Sequence, residues 1–170
     1  PQDIPLYIGS TAKKLLEILT EKLDSGMKAA EKGLPRIESI KCYFPGQKLE
    51  VFGDIHVTPF IVDHSALDAY MFFIETGGKK ILFTGDFREH GIIGANNTLE
   101  KMIQTYIGEI DILITEGTML SRVNETKQNL IRTESDLGKR ARELFRANKE
   151  SVILVSSTNL DSIMEFYHAL

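Results

Sequence analysis

Hydrophobic residues recur along this chain with two different periods. Ala12, Leu15, Leu16, Leu19 and Leu23 lie at helical spacing, with lysines and glutamates between them and Ser10 placed as an N-cap. From Ile37 the period shortens. Ile40, Cys42 and Phe44 alternate with Lys41 and Tyr43 before a turn at Pro45-Gly46, and Leu49, Val51 and Phe52 precede Gly53-Asp54. Val57–Val62 and Ala69–Thr76 follow as strands, and Lys80–Thr84 returns across Gly77-Gly78. The uninterrupted apolar run Tyr70–Ile74 predicts a strand buried on both faces.

Beyond this meander the two periods alternate. Leu99, Met102, Ile103 and Tyr106 predict a helix, and Ile110–Thr115 a buried strand. Leu137, Ala141, Leu144 and Phe145 predict a second helix, with Thr133 and Asp136 placed as a capping box. Ser151–Ser156 predicts a strand, and Leu160, Ile163, Met164 and Tyr167 a closing helix. Strand-helix-strand-helix order implies parallel pairing in this half, hence an α/β fold. The polar stretch Gly117–Arg132 is long for a simple connection and suggests a domain junction. The chain opens at Pro1 without methionine and stops inside an amphipathic pattern, which suggests an excised piece of a longer protein.

Composition narrows the choices. A net charge of −4 provides no global basic field for nucleic acid, so any such binding needs a local groove. A single cysteine, Cys42, excludes an internal disulfide and fits a reducing compartment, consistent with a cytoplasmic location. No apolar run is long enough to span a membrane, and no export signal is visible.

Candidate chemistry gathers where apolar runs end. His64 closes one strand and Asp86, after Thr84-Gly85, closes another. Each alone has a structural explanation, as a hydrogen-bonding histidine or a turn carboxylate. Together they suggest metal ligands, although zinc normally takes three or four protein donors and no Cys-x-x-Cys or His-x-x-x-His spacing supplies the rest. Glu116 ends a third strand, either as a solvated carboxylate or as a group that orients ligands or water. His56 and Cys42 read as structural, His90 and His168 as solvated. The basic group Lys139, Arg140, Arg142 and Arg146 is interleaved with Glu134, Asp136 and Glu143, as on a solvated helix face.

Three segments in order, Val57–Tyr70 with its His64-Ser65 pair and Asp68, Phe83–Arg88 and Thr115–Thr118, resemble successive signatures of the metallo-β-lactamase fold. More narrowly they resemble its β-CASP branch, the ribonuclease J-like RNA-processing nucleases, and Ser156-Ser157-Thr158-Asn159 is similar to an early β-CASP segment. The resemblance implies a partial metallo-β-lactamase (αββα) domain over 1–132 and the start of a β-CASP-like domain over 133–170. It implies His64 as a ligand of one zinc, Asp86 as a bridge between two zinc ions, and Glu116 as an orienting group in the catalytic machinery. Ser65 and Asp68 match family positions without an assigned role. The family's main ligand string, His-x-His-x-Asp-His, is not in this chain, nor are the later β-CASP motifs. The expectation is therefore a zinc-dependent RNA nuclease in the parent protein and an inactive fragment here, with little zinc affinity. Alternatives are a hydrolase of small esters, thioesters or amides, and a non-catalytic interacting remnant. Missing flanks would leave strand edges open, which predicts self-association or a covering partner.

Overall fold

The computed structural model describes residues 4–25, 34–95, 98–120 and 131–170. Two sheets organise the chain. The smaller pairs β1 (Tyr7–Gly9) with β2 (Lys41–Tyr43) in parallel, with α1 (Ser10–Asp24) and the short α2 (Leu34–Glu38) in the connection between them. The larger has five strands in sequence order: β3 (Leu49–Phe52), β4 (Ile55–Ile61), β5 (Tyr70–Thr76), β6 (Lys79–Phe83) and β7 (Ile112–Ile114). Its first three pairings are antiparallel and the last, β6 with β7, is parallel.

The antiparallel meander follows from alternation and turns. β4 pairs Ile61 with Tyr70 and His56 with Glu75, and β5 turns at Gly77-Gly78 into β6, where Phe72 meets Phe83. The two faces of β5 have different neighbours. Met71, fully buried, joins Val62, Leu82 and Met102, with Phe73, Leu99, Ile103, Ile107 and Ile110 packed around them. Here α3 (Leu99–Met102), continued by a π-helical turn (Ile103–Ile107), covers the sheet. On the opposite face Tyr43 of β2 meets the rings of Tyr70 and Phe72 edge-on, at 4.9 and 5.7 Å between centroids. Tyr43, not only Cys42, is thus the residue that β2 contributes inward.

Three expected features differ. The helix predicted from Ser10 begins there, but Gly9 holds the N-cap position and makes no side-chain cap. The Asp68 carboxylate supplies the cap, accepting from the Thr11 and Ala12 amides at 3.0 and 2.8 Å. The strand expected to be buried at Ile110–Thr115 forms as β7, yet Ile112, Leu113 and Ile114 are about half exposed, because β7 ends the sheet and no helix among the described residues covers it. Ser151–Ser156 forms no ladder; Val152 and Leu154 lie fully in solvent, since no strand among the described residues lies beside them.

The last two helices, α4 (Glu134–Ala147) and α5 (Leu160–Ala169), pack on each other. Thr133 Oγ1 accepts from the Asp136 amide, as the capping pattern predicts. The buried side of the pair is small and polar: Gly138, Ala141, Ser162 and Ala169, with Glu134, while Leu144, Met164 and Tyr167 stay exposed. The basic residues of α4 are outward, with Lys139 on Asp136 and Arg140 on Glu143. Most of the expected junction loop, residues 121–130, lies outside the described residues. Among the described residues no helix is long and apolar enough to cross a membrane.

Candidate functional site

Strand direction brings the chemistry together. β4 and β6 both run antiparallel to β5, and β7 runs parallel to β6, so β4, β6 and β7 all end at one edge of the sheet. His64, Asp86 and Glu116 follow those three ends by a few residues each. Carboxyl ends of strands are where open α/β sheets gather ligands, because the loops there are free of the ladder.

The turn that presents Asp86 is built from its neighbours. Thr84 is fully buried and its hydroxyl donates to the Gly85 carbonyl at 2.8 Å and reaches Thr115 Oγ1 at 3.3 Å. Gly85 has φ +59°, and a Cβ there would press on the Tyr70 carbonyl at 3.2 Å. Only glycine takes both that conformation and that approach without strain. The next side chain, Asp86, emerges exposed.

Glu116 ties two of these strand ends. Its carboxylate accepts the Phe87 amide at 2.8 Å and the Thr118 amide at 3.3 Å. The Phe87 bond, followed by the contacts of Thr118, holds the carboxyl below its usual range, and the nearby His64 imidazole adds to this. Glu116 therefore stays ionised and holds the backbone next to Asp86, within electrostatic reach of His64. His64 is half-buried and lines a cavity of about 110 Å³ with Ser65, Asp68 and Asp161. Ala66, also in its lining, forms an isolated antiparallel bridge with Asn159.

Two acids that the sequence leaves without a role tie distant segments to this end of the sheet. Asp68, the one non-glycine residue with positive φ (+65°) among those described, caps α1 and also accepts the Tyr70 hydroxyl at 2.7 Å. Burial, then this carboxylate, raises the Tyr70 pKa well above its ordinary value. Asp63, 3% exposed, accepts Arg88 Nε at 3.2 Å and the Gly91 amide at 2.7 Å. Arg88 also donates to Glu134 and Asp161, each at 2.7 Å. These partners lie 25, 46 and 73 residues from Arg88, so local spacing could not reveal them; the signal available was a lone arginine following the Thr-Gly-Asp turn.

The remaining predicted positions are peripheral. His56 Nδ1 lies 3.1 Å from the Asp54 carbonyl and is structural. His90 and His168 are exposed, and their carbonyls accept from Glu134 N and Arg142. Cys42 is a partly buried free thiol.

Among the described residues no three His, Cys, Asp or Glu side chains are grouped to hold a metal ion. His64 and Asp86 offer one imidazole and one exposed carboxylate just past the ends of β4 and β6, the two strands that flank β5, and these donor types suit zinc. They fit as part of a ligand set and do not complete one.

No protein-family model and no curated protein matches the chain. Among solved structures it is similar to a protein of unknown function from Enterococcus faecalis V583, with a TM-score of 0.74 and 23% identity over 98% of this chain. It also aligns with Zn²⁺-bound PqqB from Methylobacterium extorquens over 66% of this chain and 33% of that one, at 18% identity and a TM-score of 0.40. That second superposition is too loose to support an argument. The first shows a shared mixed α/β fold, and this chain spans 39% of the length of the Enterococcus protein.

Proposed function

We propose that this chain belongs to a zinc-dependent hydrolase of the metallo-β-lactamase fold, of the β-CASP, ribonuclease J-like type, cleaving RNA phosphodiesters in the cytoplasm. Residues 1–132 then belong to the metallo-β-lactamase domain and 133–170 begin the β-CASP-like one. The observation that supports this is the convergence of His64, Asp86 and Glu116 on one sheet edge, with the Glu116 carboxylate bonded to the amide beside Asp86.

His64 and Asp86 would hold metal, with the other ligands coming from segments outside this chain. Zinc in such a centre polarises the phosphodiester and acidifies a water molecule. The chain's own residues prepare the place. The Thr84-Gly85 turn projects the Asp86 carboxylate, Glu116 fixes the backbone that carries it, and Asp63 anchors the backbone before His64. Among the described residues there are too few grouped donors for a closed site, and the chain alone is expected to be inactive.

The full-length gene product tests the proposal. It should contain about two zinc ions per chain and cleave single-stranded RNA, and His64→Ala or Asp86→Ala should lower cleavage by roughly 100-fold or more, in line with loss of a metal ligand. Zinc with hydrolysis of a small ester or thioester but not RNA would favour the small-molecule alternative; absence of both metal and hydrolysis would leave a non-catalytic module. Residues 1–170 alone should retain no stoichiometric zinc after dialysis, measured by inductively coupled plasma mass spectrometry. Tight one-to-one zinc would show that this chain holds a complete site.

A further inference from the structure

Asp63 immediately precedes His64, and Arg88 lies two residues beyond Asp86. The two are joined twice. The Arg88 amide donates to the Asp63 carbonyl at 2.7 Å, and Arg88 Nε donates to Asp63 Oδ1 at 3.2 Å. One hydrogen bond leaves rotation about its axis, whereas a main-chain and a side-chain bond between the same residues fix both separation and twist. Asp63 Oδ2 takes the Gly91 amide at 2.7 Å, so the loop after Asp86 closes on the same carboxylate. A Cβ on Gly91 or Gly94 would overlap that carboxylate, so both glycines are part of the arrangement.

The rest of the guanidinium points elsewhere. Nη1 meets Glu134 at the start of α4 and Nη2 meets Asp161 in the first turn of α5. Glu134 is held in turn by the Ser162 hydroxyl at 2.8 Å and, through its amide, by the His90 carbonyl at 3.2 Å. The Arg88 side chain is 10% exposed, Asp63 2%, Glu134 8% and Asp161 23%. A guanidinium spreads its donors over three nitrogens in one rigid plane and so reaches three separated acceptors, whereas an ammonium holds all its donors on a single nitrogen.

We propose that Arg88 is a positioning residue for the metal site: with Asp63 it clamps the strand ends that carry His64 and Asp86, and through Glu134 and Asp161 it makes their spacing depend on the docked α4–α5 pair. This rests on the assignment of His64 and Asp86 as ligands. The helix pair is thereby a lever on the centre rather than a neighbouring module.

The test uses the full-length gene product, with zinc affinity read by competition with a chelator and local order read by amide hydrogen exchange. Arg88→Met should lose roughly 10- to 100-fold in zinc affinity, the range for groups that orient ligands, and should speed exchange at Gly91. Arg88→Lys should not restore the affinity. The double variant Glu134→Gln with Asp161→Asn leaves Arg88 on Asp63 while weakening the helix contacts; it should lose affinity by less than Arg88→Met and speed exchange mainly in α4 and α5. Arg140→Met, on the exposed face of α4, should match the wild type. A folded Arg88→Met with zinc affinity within twofold of wild type overturns the clamp. Should Arg88→Met not fold, a double variant of unchanged affinity overturns the coupling to the helices. A wild type that holds no zinc overturns the ligand assignment, and the clamp with it.

Discussion

Asp68, which the sequence leaves without a role, is understood from its contacts. Its backbone sits at φ +65°, a conformation that costs an ordinary L-residue about 1–2 kcal/mol. The return is an N-cap for α1 supplied from 57 residues away, together with a bond from the Tyr70 hydroxyl. Gly9 makes room, since a Cβ there would overlap the carboxylate and sit 2.8 Å from the Tyr70 ring. Asp68→Ala loses the cap and keeps the strained backbone, so it should cost about 2–3 kcal/mol in urea denaturation, a cap being worth about 1 kcal/mol. Asp68→Asn, which tolerates this backbone and retains an acceptor, should cost about 1 kcal/mol or less. Equal losses for the two would show that the carboxylate contributes through charge and not through the cap. The sequence marks Ser10 as the cap because capping is normally local; nothing near Ser10 announces a carboxylate arriving from the far side of β4. The strand-end positions of His64, Asp86 and Glu116 were legible for the opposite reason: each follows its own apolar run, and the runs themselves fix where the strands stop.

At the level of elements, the meander was readable because its pairing is local. Alternation gives the faces, and Gly77-Gly78 gives the register of β5 and β6. The β1–β2 pairing was not, since its partners are separated by two helices and the pattern carries no mark of which strand will meet which. The exposure of β7 was not either: an apolar run reports that a strand can be buried, not that something covers it. The two sheet edges differ in how they meet solvent. β3 carries exposed Val51 and Phe52, but its register shifts between Glu50 and Phe52, and such irregularity blunts an edge. β7 is regular and apolar, with Leu113 52% exposed. Self-association of residues 1–170 should therefore run through β7. Leu113→Lys should shift the sedimentation profile towards monomer while changing stability by no more than about 0.5 kcal/mol, because a half-exposed edge position has little packing to lose. A monodisperse wild-type monomer at high micromolar concentration would count against this, as would association indifferent to the lysine.

Across the whole molecule, charged groups pin the turns that the small core does not reach, and this sets the response to pH. The Gly77 amide holds the Asp54 carboxyl below its usual range and so ties the β3–β4 turn to the β5–β6 turn. The Lys80 amide, with Lys79, does the same for Asp111 and secures β7 to β6. Asp136 is lowered by Thr133 and Glu75 by Lys48. In each case the folded chain favours the ionised form more than the unfolded chain does. The stabilisation is thus complete above the ordinary carboxylate pKa of about 4 and is lost as pH falls through the depressed values. The tyrosines act at the other limit. Burial first, then Asp68, raises Tyr43 and Tyr70, so the fold favours their neutral form, and that preference is lost as pH rises beyond about 10. Melting temperature should accordingly fall on the acid side below about pH 4 and on the alkaline side above about pH 10. The acid limb can be assigned with Asp54→Asn and Asp111→Asn. Each variant should melt below the wild type at neutral pH and converge with it by about pH 2, where the wild-type carboxylates are protonated and the advantage of charge has gone. A gap between variant and wild type that stays constant down to pH 2 would place the contribution of these residues in shape rather than ionisation, and would leave the acid limb to other groups.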